Sequence, residues 1–335
     1  MNQRSPSVLR IALVADELTR ACLESSCEVR HLTPLNYRWM LRFWRPDLVL
    51  VESAWKGMRN AWQYRVAAYP AHPKRNNQSL VGLVDLARDR DIPTVFWNKE
   101  DGVHFDRFID SARLFDHVLT VDESCIPRYK EVVAPWATVG TLMFAVQPKF
   151  HRFTGFAFKQ FNANFVGSYS RHVHERRRYW QDLFFGAAVE AGLGLCVYDR
   201  NSGRKSANYR YPELPGMEVH SAVSHGMTGA IYKENLVSLN VNTVEDSPTM
   251  FSRRLVEILA CGGIAVTNRT AAVDKMFSDY CHVLESSEQG VELFRRLRHG
   301  PSSTDLARAE AGAEYVLANH TWVQRLADIA RVAGI

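Results

Sequence analysis

The sequence has few of the features that mark proteins stabilised by a structural metal or by disulfides, or proteins that span a membrane. Its six cysteines are scattered through 335 residues and form no C-x-x-C pair, so we expect reduced thiols and no metal site. No stretch reaches the roughly 18 apolar residues that a membrane-spanning helix needs. The first seven residues lack the apolar core of a signal peptide. Together these absences predict a cytoplasmic protein.

Two common nucleotide-binding loops are also missing. No G-x-G-x-x-G follows the first apolar segment, where Ala15-Asp16-Glu17-Leu18 stands instead, and no G-x-x-x-x-G-K-[ST] loop occurs. These absences argue against a nicotinamide or flavin enzyme and against a P-loop kinase or ATPase. The net charge of +5 is mildly basic. It suits an anionic small ligand or an anionic membrane surface, and it is too weak to indicate nucleic acid binding.

Short apolar segments alternate with amphipathic helical segments along most of the chain. The segments that we interpret as buried strands are residues 8–15, 28–32, 47–51, 92–97, 117–121, 162–166, 194–198, 238–241, 264–268 and 281–284. The helices expected between them include residues 37–44, 79–90, 105–114, 173–191 and 228–234. Polar residues gather after the strands, and in open parallel sheets ligands bind at the carboxyl ends of strands. This pattern predicts an α/β fold.

Proline and glycine punctuate the middle of the chain between residues 135 and 155, and we place a domain crossover there. The prediction is two Rossmann-like domains that face a central cleft, residues 1–150 and residues 151–318. Residues 319–335 are expected to form a C-terminal helix that packs back toward the first domain.

The most informative segment is residues 247–268. Ser247 suits a helix N-cap and Pro248 the first helical position, while Gly262 is placed to stop the helix before a buried strand. Arg254 and Glu257 are three residues apart, so they share one face near the start of this helix. Arginine forks onto phosphate oxygens, and glutamate accepts hydrogen bonds from sugar hydroxyls. The pattern indicates a sugar-nucleotide site, and the alternative is an intrahelical ion pair on a solvated surface.

The motif Arg-x-x-Glu-x-x-Ala-Cys-Gly at residues 254–262 resembles the donor-site helix of GT-B glycosyltransferases, above all the spore-maturation-protein (CgeB-like) branch. Further similarity lies at residues 16–19, 51–57, 97–101, 232–235 and 320–325. The resemblance implies a GT-B fold and a metal-independent transfer from a nucleotide-diphosphate sugar, which is a substrate, with no cofactor. It implies a glycan or lipid-linked glycan acceptor in capsule, O-antigen or spore-surface polysaccharide biosynthesis. Retaining members of family 4 usually carry a glutamate where Thr249 stands here, so the stereochemical outcome stays open.

The resemblance implies that residues 1–150 bind the acceptor and residues 151–318 the nucleotide sugar. Together with the residue chemistry it divides the candidate site residues into three groups. The donor-binding candidates are Gly167, Ser168, Arg171, Lys233, Thr249, Arg254 and Glu257. The acceptor-binding candidates are Asp16, Glu52 and Trp55. The catalytic candidates are Asp101, His104 and Glu100.

Each group has a physical reason and an alternative. Gly167 allows phosphate to approach the backbone closely, and Trp55 offers a face on which a sugar ring stacks. A general base must ionise near neutral pH, which suits His104, although a helix-cap histidine is equally consistent. The arginine-rich run at residues 171–178 is interpreted as a solvated helix face, from which we keep only Arg171 for the site.

Two other functions remain open at this stage. One is a noncatalytic surface-assembly protein that retains a GT-B scaffold, and the other is a GT-B sugar-nucleotide epimerase. Localisation at the inner face of a membrane is also open, since a lipid-linked acceptor would require it.

Overall fold

The computed structural model describes residues 9–335. The expectation for the first seven residues, and Val8 of the first predicted strand, lie outside the described residues. The chain divides into two units. The N-terminal unit comprises the residues up to Phe144 together with Trp322–Ile335, and the C-terminal unit comprises Ala145–Thr321. The domain boundaries predicted at residues 150 and 318 lie a few residues from these.

The N-terminal unit contains one parallel six-stranded sheet. Its strands are β1 (Arg10–Val14), β2 (Glu28–His31), β3 (Leu48–Glu52), β4 (Thr94–Asn98), β5 (His117–Thr120) and β6 (Thr138–Thr141). The order is β2-β1-β3-β4-β5-β6. This is the flavodoxin-like order extended by one strand, and it reverses direction between β1 and β3. Every residue of β3 and β4 is buried, as expected for a parallel sheet covered on both faces.

Helices of the N-terminal unit connect these strands. They are α1 (Glu17–Leu23), α2 (Tyr37–Trp39), α3 (Gln78–Arg88), α4 (Phe105–Ala112) and α5 (Ile126–Val132). Helix α2 continues as a π-helical stretch (Met40–Trp44). Short 3₁₀ turns lie at Met58–Asn60 and Glu123–Cys125.

The C-terminal unit contains a second parallel six-stranded sheet. Its strands are β7 (Gln160–Gly167), β8 (Leu195–Asp199), β9 (Met217–Ser221), β10 (Asn235–Leu239), β11 (Ile264–Asn268) and β12 (His282–Leu284). The order is β12-β11-β10-β7-β8-β9. Counted from β7, this is the doubly wound order 3-2-1-4-5-6, and its direction reverses between β7 and β10. The α/β class and the parallel sheets predicted from the sequence are confirmed.

The helices of the C-terminal unit follow the same alternation. They are α6 (Glu175–Glu190), α7 (His225–Glu234), α8 (Arg253–Ala260), α9 (Ala271–Met276), α10 (Ser287–Leu297) and α11 (Ser303–Asn319). Short 3₁₀ turns lie at Ala207–Tyr209 and Ser278–Tyr280.

The last helix, α12 (Trp322–Ala333), belongs to the N-terminal unit. Trp322 packs edge-on against Trp97 of β4, with 5.5 Å between ring centroids. Arg325 Nε donates a hydrogen bond to the carbonyl of Met143 at 2.9 Å. None of the helices in residues 9–335 combines the length and the apolarity of a membrane span.

The prediction that the central helix starts at Ser247 and Pro248 is wrong, because α8 begins at Arg253 with Ser252 as its N-cap. The Ser247 hydroxyl accepts a hydrogen bond from the Met250 N–H at 3.0 Å. The Ser252 N–H donates to the side chain of Asn242 at 2.8 Å. Side chains thus satisfy the backbone of the loop before α8, so the loop is stable without helical hydrogen bonds.

Candidate functional site

The strand order of the C-terminal unit reverses between β7 and β10, and ligands of doubly wound sheets bind at such a switch point. The end of β7 is Gly167, and α8 follows β10 along the chain. Arg254 lies in the first turn of α8, and its Nε donates to the carbonyl of Val166 at 2.6 Å. The topology therefore brings an arginine onto the carboxyl end of β7.

Gly167 makes this close approach possible. A Cβ atom at this position would lie 2.7 Å from Arg254 Nη2 and 2.7 Å from the ring of Phe165. The Arg254 guanidinium also lies over that ring, 4.4 Å from its centroid. Glycine is thus required at residue 167 because the Arg254 guanidinium occupies the space that a larger side chain would need.

A second arginine, Arg177 of α6, reaches the same turn. Its Nη2 donates to the carbonyl of Ser168 at 3.1 Å. The buried Arg177 Nε, Arg254 Nη1 and Tyr211 hydroxyl have no hydrogen-bond partner among the described residues. Buried polar groups are rarely left in this state, so three unsatisfied groups beside one turn indicate a place for a ligand.

The electrostatics of these groups indicate an anionic ligand. Burial, together with nearby Arg254 and Arg200, lowers the pKa of Arg177 to about 10. Burial also lowers the pKa of Arg254, although Tyr211 and Glu257 oppose the shift. The guanidiniums remain charged at neutral pH, and a polyanion that accepted their free N–H groups would relieve both repulsion and desolvation.

Glu257 lies one turn further along α8 and is buried. Its Oε1 accepts from Arg253 Nε at 3.0 Å and lies 3.7 Å from His225 Nδ1. The ion pair on this helix is therefore formed by Arg253 and not by Arg254. Burial raises the pKa of Glu257, but the charges of His151, Arg253 and their neighbours outweigh it, so that the pKa lies below its ordinary value. The lowered pKa keeps this carboxylate ionised, so it is an acceptor for a ligand hydroxyl.

His151 and His225 stand beside this carboxylate, with 4.8 Å between their ring centroids. Burial lowers the pKa of His151 to about 4 and also lowers the pKa of His225. With Glu257 the two rings are spaced closely enough to hold a metal ion. Arg253 already contacts the carboxylate, however, and Lys233 adds positive charge near His151. These positive charges disfavour a bound cation. The two histidines are therefore better explained as neutral groups that hold the carboxylate in position.

The remaining donor candidates are Arg171, Lys233 and Thr249. Arg171 is exposed, and its Nε donates to the carbonyl of Arg210 at 3.3 Å. Lys233 Nζ donates to the hydroxyl of Thr154 at 3.1 Å. Thr249 is buried in the loop before α8. The structure thus brings Gly167, Ser168 and Arg254 together at one turn, with Glu257 one helical turn beyond Arg254.

No signal in the sequence separates Arg177 from its neighbours in the arginine-rich run. Arg176 is exposed and pairs with Glu245 at 2.9 Å, and it lies over Trp180. Arg178 donates to the carbonyl of Arg171 at 2.6 Å. The loop between β7 and α6 determines which arginine turns toward Gly167. The path of this loop cannot be predicted from residue spacing.

In the N-terminal unit the switch point lies between β1 and β3, and it joins two acceptor candidates. Glu52 at the end of β3 is fully buried. Its Oε1 accepts from the Asp16 N–H at 2.6 Å and from Lys99 Nζ at 2.8 Å, and its Oε2 accepts from the Thr19 hydroxyl at 2.6 Å. Asp16 Oδ2 lies 3.4 Å from the same ammonium. Glu52 is thus the buried centre that holds Asp16 and Lys99, and Asp16 is the more accessible carboxylate.

Trp55 joins two catalytic candidates. Its ring lies edge-on to His104 with 5.2 Å between centroids, and Glu100 is hydrogen-bonded to its side chain. Burial raises the pKa of Glu100, with Lys99 acting in the opposite direction. Burial and Arg107 lower the pKa of His104. The raised pKa of Glu100 lies closer to neutral pH, and the lowered pKa of His104 keeps its ring uncharged there. Both shifts suit groups that accept a proton.

Asp101 is placed differently, because it is fully buried. Its carboxylate accepts from the Thr120 hydroxyl at 2.6 Å, the Tyr129 hydroxyl at 2.8 Å and the Asn98 amide at 2.6 Å. Burial raises its pKa to about 7, although the bonds from Thr120 and Tyr129 oppose the shift. Core side chains take up both oxygens, so the placement favours a structural role for Asp101.

Residues 169–331 match the family model described as glycosyl transferase-like. No curated protein sequence matches the chain. Among solved structures, the chain is similar to an alpha-glucosyltransferase in complex with UDP and a 13-mer DNA containing an HMU base. The TM-score is 0.64 at 9% identity, and the alignment covers 98% of this chain and 100% of that one.

Two further solved structures share the fold. The sucrose-phosphate synthase from Thermosynechococcus elongatus gives a TM-score of 0.59 at 10% identity, over 97% of this chain and 98% of that one. TarM gives a TM-score of 0.54 at 8% identity over 90% of this chain, which spans 58% of the length of TarM. The two parallel sheets and these similarities identify the fold as GT-B, as the sequence predicted.

Proposed function

We propose that this chain is a glycosyltransferase that moves a sugar from a nucleotide-diphosphate donor to a glycan or glycoconjugate acceptor. The observation that carries the proposal is the arginine pair at the Gly167 turn. Arg254 and Arg177 present buried N–H groups that have no hydrogen-bond partner in the part of the chain that the structure describes, at the switch point where doubly wound sheets bind nucleotides. The glycosyl transferase-like match of residues 169–331 supports the same class.

The donor would bind with its diphosphate on the two guanidiniums and the Tyr211 hydroxyl. Oε2 of Glu257 would accept hydrogen bonds from the ribose hydroxyls, with Arg253 and His225 holding the carboxylate. UDP is the first nucleotide to test, since the similar alpha-glucosyltransferase was solved with UDP. When the bond to the sugar breaks, negative charge grows on the leaving diphosphate, and fixed guanidiniums at that place stabilise it. We assign the charge stabilisation to these side chains, so transfer should proceed without a metal ion.

Acceptor recognition is assigned to the N-terminal unit. Asp16 and Trp55 supply a carboxylate for hydroxyl groups and a ring for stacking on a sugar face. Glu100 and His104, both beside Trp55, are the candidates for taking the proton of the acceptor hydroxyl. The resemblance of several motifs to the spore-maturation-protein branch supports a role in capsule, O-antigen or spore-surface polysaccharide synthesis.

Isothermal titration calorimetry against UDP, GDP, dTDP and CMP and their sugars tests the proposal. We expect one nucleotide family to bind and Arg254→Met to weaken that binding strongly. The matched control is Arg253→Met, which changes the neighbouring arginine and should affect the ribose end through Glu257 instead. If no nucleotide binds, the chain is a noncatalytic scaffold. Conversion of a bound donor to an epimer without any acceptor would identify an epimerase, and either result overturns the proposal.

A further inference from the structure

The turn before α2, helix α2 itself and the π-helical stretch that continues it expose large apolar side chains. Leu35 is 95% exposed, Trp39 54% and Phe43 62%. The three residues are spaced four apart, and the rings of Trp39 and Phe43 lie 5.6 Å from each other. Trp39 and Phe43 therefore form one continuous face, and Leu35 lies in the turn before them. Large apolar side chains that cluster on a surface, unlike single ones, mark an interaction site.

The opposite face of the same helix is already used by the core. Tyr37, Leu41 and Trp44 are buried against the N-terminal sheet. The helix is thus apolar on both sides, and burial in this unit explains only one of them. The outward aromatic residues need another environment.

Arginines flank the exposed face. Arg38, Arg42 and Arg45 are exposed, and no acidic residue occurs between Leu35 and Arg45. Arg42 lies 5.5 Å from the centroid of the Phe43 ring. Within residues 9–335 none of the three guanidiniums is paired with a carboxylate. We call the six residues Leu35, Arg38, Trp39, Arg42, Phe43 and Arg45 the Trp39 patch.

We propose that the Trp39 patch docks this protein on the surface of an anionic phospholipid bilayer. The aromatic rings would sit at headgroup depth, where amphipathic rings are favoured, and the arginines would contact lipid phosphates. Charge complementarity points to lipid, because unpaired arginines interleaved with aromatic and aliphatic side chains are typical of interfacial helices. The patch belongs to the N-terminal unit and shares no residue with the arginine pair of the C-terminal unit, so the inference does not depend on the donor site.

Vesicle flotation with the full chain tests the inference. One set of vesicles contains phosphatidylcholine and phosphatidylglycerol in equal parts, and the other contains phosphatidylcholine alone. We expect binding to the anionic vesicles that weakens with added salt. The double variant W39S/F43S should lower the partition coefficient roughly tenfold or more, because two apolar rings no longer enter the interface. R38Q/R42Q should lower it several-fold and reduce its dependence on salt.

The matched control is W136S. Trp136 is 59% exposed in the same unit and also lies under an arginine, Arg88, at 4.8 Å, but it is outside the patch. Its replacement should leave vesicle binding unchanged. Thermal melting should show that all variants remain folded, since every altered side chain is exposed.

Three results would overturn the inference. They are failure of the unchanged protein to float with anionic vesicles, equal flotation of W39S/F43S, and self-association in sedimentation that this variant abolishes. The last result would make the patch an interface between two copies of the chain. Nucleotide titration of the same samples separates these outcomes from failure of the proposed function.

Discussion

Replacing Gly167 with alanine tests whether the arginine pair holds the donor. The new Cβ would lie 2.7 Å from Arg254 Nη2 and from the Phe165 ring, whereas ordinary contacts begin near 3.4 Å. Both neighbours are too close to the Cβ, so each of the two separations must increase by about 0.7 Å. Phe165 is fully buried in the core. We expect the guanidinium to make the larger movement, because it ends a flexible side chain.

The magnitude follows from two separate costs. Inserting a methyl group into a filled space costs about 1–3 kcal/mol of unfolding free energy. Displacing the guanidinium removes at least one charge-assisted hydrogen bond to the diphosphate, about 1.5–3 kcal/mol. The second cost corresponds to a rise of about 10- to 150-fold in the Kd for UDP. Titration calorimetry measures the Kd, and urea denaturation measures the free energy.

Gly186→Ala is the matched control. Gly186 lies within α6, and a Cβ there would meet open space. The substitution should raise the free energy of unfolding by roughly 0.5–1 kcal/mol and leave the Kd for UDP unchanged. If Gly167→Ala binds UDP as tightly as the unchanged protein, the assignment of the diphosphate to this turn is refuted.

Further substitutions test the other parts of the account. Arg177→Met should raise the Kd for UDP by at least about tenfold, whereas Arg176→Met, on the exposed side of the same helix, should leave it unchanged in calorimetry; equal effects would contradict the assignment. Glu257→Gln should reduce the preference for UDP over 2′-deoxy-UDP, and an unchanged ratio would place the ribose elsewhere. Asp101 has a folded-state pKa of about 7, against an ordinary value of 3.8. Between pH 3.8 and about 7, the folded protein therefore keeps a proton on Asp101 that the unfolded chain has released. The free energy of unfolding, measured in urea and taken relative to Asp101→Asn, should fall as the pH rises from 4 to 8, by up to about 4 kcal/mol; a rise would show that the sign is wrong.

Most of the fold was predictable because its signals are local. Buried parallel strands such as β3 and β4 are continuous apolar runs, and the residues after them are polar. The structure adds two edge strands that we did not predict, β6 and β9. Both are short and mostly solvent-accessible, so they lack the apolar run by which a buried strand is recognised.

The site was predictable where topology alone brings residues together. Gly167 and Arg254 follow adjacent strands, so a parallel sheet must place them near each other. The start of α8 was not predictable, because the side chain of Asn242 competes with a helical turn for the backbone. The inward orientation of Arg177 was not predictable either, because the loop before α6 determines which arginine turns inward. Asp101 follows the carboxyl end of β4, where a ligand-binding residue is expected. The buried side chains of Thr120 and Tyr129 nevertheless enclose it.

A crystal structure of the protein with UDP tests the central claim most directly. We expect oxygens of the diphosphate within hydrogen-bond distance of Arg254 Nη1 and Arg177 Nε, and the ribose hydroxyls on Glu257. A diphosphate bound away from the Gly167 turn, with both guanidiniums still lacking partners, would contradict the account.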